Sequence, residues 1–150
     1  MKIAMIGLGR MGMNMTRRLL GRGHEVVAYN RTPQKTEEIA REGATPAYSL
    51  SELADRLTSP RVVWIMLPAG AAVDEHLLRL GEILSTGDIV IDGGNTYFKD
   101  DIRRAESLAQ KGIRFMDVGV SGGIWGLKVG YCSWAGVLVN RTAVSPSSVQ

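Results

Sequence analysis

Lys2-Ile3-Ala4-Met5-Ile6-Gly7-Leu8-Gly9-Arg10-Met11-Gly12 runs a short, mostly apolar segment straight into the pattern G-x-G-x-x-G. Residues 10–22 then place Met11, Met15, Leu19 and Leu20 at helical spacing. The glycines therefore lie between a strand and a helix, the context in which this motif carries meaning. Gly7 permits the tight turn, Gly9 lets the backbone approach a pyrophosphate, and Gly12 lets the helix pack close to the strand. The helix start supplies free N–H groups and the positive end of a dipole. The competing reading is a glycine-rich turn without a ligand, and the match on both flanks argues against it.

Outward from this loop the chain alternates. Glu25–Tyr29 reads as a second strand. Thr32 then Pro33 opens a helix to about Glu42, with Thr32 as cap, and Gly43 stops it. Ser49 with Glu52 forms a capping box for a short helix through Leu57. Residues 61–67 predict a strand buried on both faces, and 71–84 a helix. A strand at 88–92, an amphipathic helix at 98–111 and a strand at 113–118 follow. Strands alternating with helices predict an α/β domain: a doubly wound, mainly parallel, Rossmann-type sheet with helices on both faces. Ligands of such sheets sit beyond the carboxyl ends of the strands. That edge collects Gly7 to Gly12, Asn30 to Thr32, Leu67 to Gly70, Asp92 to Asn95 and Gly119 to Gly123.

Bulk properties narrow the classes. The chain has 150 residues, fitting one domain, with 45% hydrophobic and 22% charged residues. The net charge is +3, from 18 basic and 15 acidic side chains. The basic residues are scattered, so nucleic-acid binding is not expected. No apolar run reaches the ~18 residues that span a bilayer. The single cysteine, Cys132, fits a reducing compartment, and the expected location is cytoplasmic. No metal site is expected.

After the second strand, where an NAD-binding domain would carry an acid for the ribose hydroxyl, this chain reads Asn30-Arg31-Thr32. Asn30 removes the repulsion that an acid would exert on a 2′-phosphate. Arg31 can pair with that phosphate and stack on adenine, and Thr32 can donate a hydroxyl hydrogen bond. The trio suits NADP. The alternative is a solvated arginine, with Thr32 only a helix cap.

Two further clusters lie at the same edge. Ile91-Asp92-Gly93-Gly94-Asn95-Thr96 brings backbone and an amide near a ligand, and Val118 to Cys132 includes Ser121, Gly122 and Gly123, a hydroxyl followed by unobstructed N–H groups. Either cluster alone reads equally well as an ordinary turn; two at one edge favour a site.

Together I-G-L-G-R-M-G-M-N-M, N-R-T, D-G-G-N-T and V-S-G-G-I-W-G-L resemble 6-phosphogluconate dehydrogenase, decarboxylating, over residues 1–132, closest to its bacterial short-chain branch. The wider 3-hydroxyacid dehydrogenases share the first motif and S-G-G, but usually lack D-G-G-N followed by the pair Arg103-Arg104. The resemblance implies oxidation of 6-phosphogluconate at C3 and loss of CO2 to give ribulose 5-phosphate. It implies cofactor contacts from Gly7, Leu8, Gly9, Arg10, Met11, Gly12, Asn30, Arg31, Thr32, Leu67, Pro68 and Asn95. It implies substrate contacts from Asn95, Ser121, Gly122 and Gly123, with Asn95 also positioning the nicotinamide. The cofactor is NADP, with NAD open because some short-chain members use it. The partner is a sugar-acid phosphate, and the family is homo-oligomeric.

The family's catalytic lysine and glutamate have no match here. Lys128 lies in a segment unlike the catalytic helix, so the role is not transferred to it. His24 falls at the amino end of the second strand, and His76 lies mid-helix as a surface or half-buried residue. This chain is therefore expected to bind cofactor without turning over, the helical C-terminal domain of the family being absent. Residues 133–150 depart from the family pattern; Ser133-Trp134 is what a Leu-Met pair becomes after loss of one base, so a frameshifted tail is expected, against a divergent native end. Two other functions stay open: a 3-hydroxyacid dehydrogenase of the 3-hydroxyisobutyrate type, and a non-catalytic dinucleotide-binding fragment.

Overall fold

The computed structural model describes residues 1–95, 98–122 and 130–136. In chain order the elements are β1 (Lys2–Ile6), α1 (Arg10–Gly21), β2 (Glu25–Tyr29), α2 (Pro33–Ala40), β3 (Thr45–Ala47), α3 (Leu50–Asp55), β4 (Val62–Ile65), α4 (Ala71–Ile83), β5 (Ile89–Asp92), α5 (Phe98–Ala109), β6 (Arg114–Ser121) and β7 (Cys132–Gly136). They form one sheet in the order β3-β2-β1-β4-β5-β6-β7. Strands β1 to β6 pair in parallel, and β7 closes the edge antiparallel to β6. The chain winds outward from β1 through β2 to β3, then returns to place β4 on the other side of β1. The crevice between the carboxyl ends of β1 and β4 is thus the switch point, where this architecture holds its ligands.

Strand alternation distributes the core. Ile3 and Met5 of β1, with Val26 and Ala28 of β2, pack on one face against Met13 and Met15 of α1 and Ile39 of α2. Ala4, Ile6, Val27, Val63 and Ile65 point to the other face, against Leu50 and Leu53 of α3, Leu77 and Leu80 of α4 and Leu108 of α5. Helices cover both faces, as the sequence predicts. Met13, not Met11, is the first methionine of α1 inside the core, at 4% exposure.

The differences from the sequence reading have local causes. Strand β3 was not expected, because Thr45-Pro46-Ala47 contains proline; it is an edge strand, where a missing N–H does no harm. Strand β4 is buried on one face only: Val63 and Ile65 are enclosed, whereas Val62 and Trp64 are half-buried. Val62 and Trp64 pack at the margin of the core that α1 and α2 cover. Strand β6 runs to Ser121 because β7 pairs with it. Ser133 and Trp134, read from the sequence as the start of an aberrant tail, pair in that ladder with Val120 and Gly119. Regular structure thus continues to Gly136, past Cys132, where the sequence reading ends the domain. Residues 137–150 lie outside the described residues, as does Lys128.

The caps also differ. The Ser49 hydroxyl accepts the Glu52 N–H at 3.0 Å, and the Glu52 carboxylate reaches back to the Tyr48 N–H at 2.8 Å, so the capping box holds in essence. Thr32 occupies the cap position of α2, with Pro33 first in the helix, but its side chain makes no capping hydrogen bond.

Candidate functional site

The carboxyl edge of the sheet is built by hydrogen bonds that carry each strand into the next turn. The Gly7 N–H donates to Tyr29, Met66 N–H to Ile6 and Gly93 N–H to Ile65. Three turns are thereby brought side by side: Gly7 to Gly12, Met66 to Gly70 and Gly93 to Asn95. Between them lies a cleft of about 620 Å³, lined by Gly9, Met11, Met66, Leu67, Pro68, Gly93, Gly94, Asn95, Gly119 and Val120.

The glycines of the first turn divide their work as the motif predicts. Gly7 has φ +93°, a conformation that only glycine adopts freely, and a side chain there would meet Leu67 Cδ2 at 2.9 Å. A side chain on Gly12 would overlap the carbonyl oxygen of Gly7. Gly9 differs: a side chain there would touch no protein atom. The space above it is open. Gly9 is also the N-cap of α1, with no capping side chain and no acid in the first turn, so the helix end stays open to an anion.

Asn30 has a role beyond the absence of charge. Its Oδ1 accepts the Leu8 N–H at 2.9 Å, and its Nδ2 donates to the Thr32 carbonyl at 3.2 Å. The asparagine ties the end of β2 to the glycine turn. Leu8, expected among the cofactor contacts, has its side chain buried at 1% exposure and its N–H donated to Asn30. Arg31 and Thr32 are exposed at the same edge, beside the turn, and Arg10 is exposed at the start of α1.

Gly9, Met11, Leu67, Pro68 and Asn95 are the expected site residues that meet in the cleft. The cleft wall reaches Gly119 and Val120; Ser121 and Gly122 follow directly, Ser121 exposed and paired with Cys132. Gly123 lies outside the described residues. His76 packs its ring 6.2 Å from that of Tyr29, and its Nδ1 donates to the Ala72 carbonyl at 2.7 Å. Gly119 and Val120 fall in the stretch Gly119 to Gly123 that the sequence places at this edge; Met66 was missed, because an apolar side chain at the end of a strand reads as core.

It also missed an ion network beneath the Gly93–Asn95 turn. Arg104, 3% exposed, meets Asp74 at 2.9 Å, Asp101 at 3.2 Å and Asp92 at 3.7 Å. Its hydrogen bond holds the Asp74 carboxyl below its usual range. Asp101 goes the other way: burial, then the charges of Asp117 and Asp92, push it up to about 6. Burial, then Asp92, also raises Asp117. One buried guanidinium cannot compensate every carboxylate around it, so Asp101 holds its proton to a higher pH than an ordinary carboxyl. An acid whose folded pKa is raised gives stability that is lost as pH rises through that value. Asp101→Asn is therefore expected to stabilise the chain relative to its parent, by a margin that opens between about pH 4 and pH 6 and stays constant above. Thermal midpoints of the two chains across that range check this; a margin that shrinks with rising pH would refute it.

Among the described residues no group of three or more His, Cys, Asp or Glu could hold a metal ion. No helix among them is long and apolar enough to cross a membrane. Residues 2–136 match the family model described as the NAD binding domain of 6-phosphogluconate dehydrogenase. The chain is 41% identical over 136 residues to the NAD(+)-dependent, decarboxylating 6-phosphogluconate dehydrogenase of Haloferax volcanii, covering 91% of this chain and 44% of that protein. The fold superposes on the Plasmodium falciparum 6-phosphogluconate dehydrogenase, solved in its apo form and with NADP+ and 6-phosphogluconate, with a TM-score of 0.84 and 32% identity over 90% of this chain and 30% of that one. It also superposes on the 3-hydroxyisobutyrate dehydrogenase of Mycobacterium tuberculosis, with a TM-score of 0.82 and 26% identity over 90% of this chain and 46% of that one. The chain spans less than half the length of the curated relatives it matches. With the glycine turn, the switch-point cleft and this match in agreement, the chain belongs to the family of the NAD-binding domain of 6-phosphogluconate dehydrogenase.

Proposed function

We propose that this chain is the cofactor-binding part of an NADP-linked 6-phosphogluconate dehydrogenase, an enzyme that converts 6-phosphogluconate to ribulose 5-phosphate and CO2. The observation that carries the cofactor choice is the end of β2, where an amide stands in place of an acid and Arg31 is exposed beside the glycine turn. The open end of α1 and the bare surface of Gly9 fit a pyrophosphate. Arg31 and Thr32 hold the adenosine end with its 2′-phosphate. Leu67, Pro68 and Asn95 enclose the opposite end, where the cleft's apolar walls exclude water and the Asn95 amide can orient both nicotinamide and substrate. The bound dinucleotide supplies the hydride acceptor. Ser121, Gly122 and Gly123 follow the cleft wall in sequence and complete the substrate end.

Calorimetric titration of this chain with NADPH and with NADH tests the reading. A preference for NADPH is expected, reduced about 100-fold by Arg31→Ala, since a charged bidentate contact of roughly 2–3 kcal/mol is removed. A preference for NADH that Arg31→Ala leaves unchanged would assign Arg31 to solvent. Binding of neither would overturn the cofactor-binding reading.

The similarity to the 3-hydroxyisobutyrate enzyme supports a second reading, a dehydrogenase of a smaller 3-hydroxy acid. Turnover of the two acids by a protein carrying this domain at full family length separates them. D-G-G-N-T and the Arg103-Arg104 pair favour the sugar-acid phosphate.

A further inference from the structure

The cleft's nicotinamide end is formed by two backbone turns from different strands, and neither is held by the sheet alone. Met66 to Gly70 runs from β4 into α4, and Gly93 to Asn95 leaves β5 toward α5. We propose that Arg104 is a positioning residue that locks these two turns to each other and so sets the width of the cleft where the nicotinamide would lie. The inference rests on the cofactor reading above.

Arg104 reaches the first turn in two ways. Its Nε donates to Asp74 at 2.9 Å, in the first turn of α4, and its guanidinium lies 3.5 Å from the Gly70 carbonyl. Gly70 is the N-cap of α4 at φ +117°, so this carbonyl marks the point where the turn becomes helix. Arg104 reaches the second turn through Asp92. That carboxylate lies 3.7 Å from the guanidinium, and its Oδ1 accepts the Gly94 N–H at 2.9 Å. Gly94 lines the cleft. Asp101, on the same helix, completes the shell at 3.2 Å.

The chemistry requires arginine. Burying a guanidinium costs several kcal/mol unless every face is paired. Here its planar fork spans Asp74 and Gly70 on one side and Asp92 and Asp101 on the other. A lysine ammonium is a point charge and cannot bridge both sides at once. Replacing arginine by lysine therefore keeps a cation among the carboxylates while releasing one turn from the other.

The test compares two probes with the chain and with Arg104→Lys. NADPH extends into the nicotinamide end, whereas 2′,5′-ADP occupies only the Arg31 and glycine-turn end. Arg104→Lys is expected to weaken NADPH about tenfold while 2′,5′-ADP changes less than about twofold. Equal losses for both probes would make Arg104 a general stability residue and overturn the proposal, as would no loss for either. If the parent chain binds neither probe, the cofactor reading fails, and the proposal with it. Should Arg104→Lys not fold, Asp74→Ala, at a half-exposed position, removes the carboxylate that anchors Arg104 to the first turn and is read by the same two probes with the same outcomes.

Discussion

Gly9→Ala is expected to fold about as well as the parent chain and to lose dinucleotide binding, whereas Gly12→Ala is expected to lose both. Gly9 is the N-cap of α1 and Gly12 lies in the first turn of that helix, and the space around the two differs. The backbone at Gly9, φ −66° and ψ −175°, suits any residue, and its added methyl would meet no protein atom. The cost in stability is that of a poorer N-cap, at most about 1 kcal/mol. The methyl would stand in the space through which a pyrophosphate reaches the end of α1, so affinity should fall by about 100-fold or more. On Gly12 the same methyl would run into the Gly7 carbonyl, with Met66 Cβ at 3.3 Å behind it. Backbone on one side and Met66, just past β4, on the other leave no cheap relaxation, so the loss should be about 3 kcal/mol. Urea denaturation alongside NADPH titration checks both; a Gly9→Ala chain that binds like its parent would remove the pyrophosphate from this turn.

Asp88→Ala is expected to cost about 3 kcal/mol of stability while leaving dinucleotide affinity unchanged at temperatures where the variant is folded. Asp88 is fully buried at the amino end of β5, opposite the cleft. Its carboxylate accepts the Arg61 N–H at 2.7 Å, the Ser85 N–H at 2.9 Å and the Arg61 guanidinium at 3.2 Å. It fastens the start of β4 and the end of α4 to β5. Alanine would leave those donors without a partner where water cannot replace it. Asp88→Asn should fall between, since an amide offers one acceptor oxygen to donors now served by two. A lower denaturation midpoint at unchanged slope is the expected signature. A variant within 1 kcal/mol of its parent would show that water reaches these groups.

The same contrast separates what could be read from the chain and what could not. The G-x-G-x-x-G turn was legible because its requirements are local: a strand before, a helix after, and glycine where a side chain cannot fit. Alternation of strands and helices gave the parallel sheet for the same reason. Strand β3 escaped notice because Pro46 forbids a central strand, and only the sheet order shows that β3 is at an edge. Strand β7 escaped notice because Ser133 and Trp134 depart from the family pattern and read as an aberrant tail, and only the pairing with β6 puts them in the sheet. At the site, Asn30 announced the absence of an acid, but its bond to Leu8, 22 residues earlier, was invisible. Arg104 drew attention only as half of a charged pair. In strand β5, Asp92 was legible as a turn residue and not as a buried charge.

The sequence by itself determined the fold class, the switch-point edge and the type of ligand that edge would take, because hydrophobic period and glycine placement act over a few residues. The tertiary structure alone decided which of those residues meet in one cleft, which amides are already engaged, and how Arg104 joins two turns. Those outcomes depend on contacts between residues about 20 to 35 positions apart, and the free energy of a buried charge is set by which partners the fold brings to it.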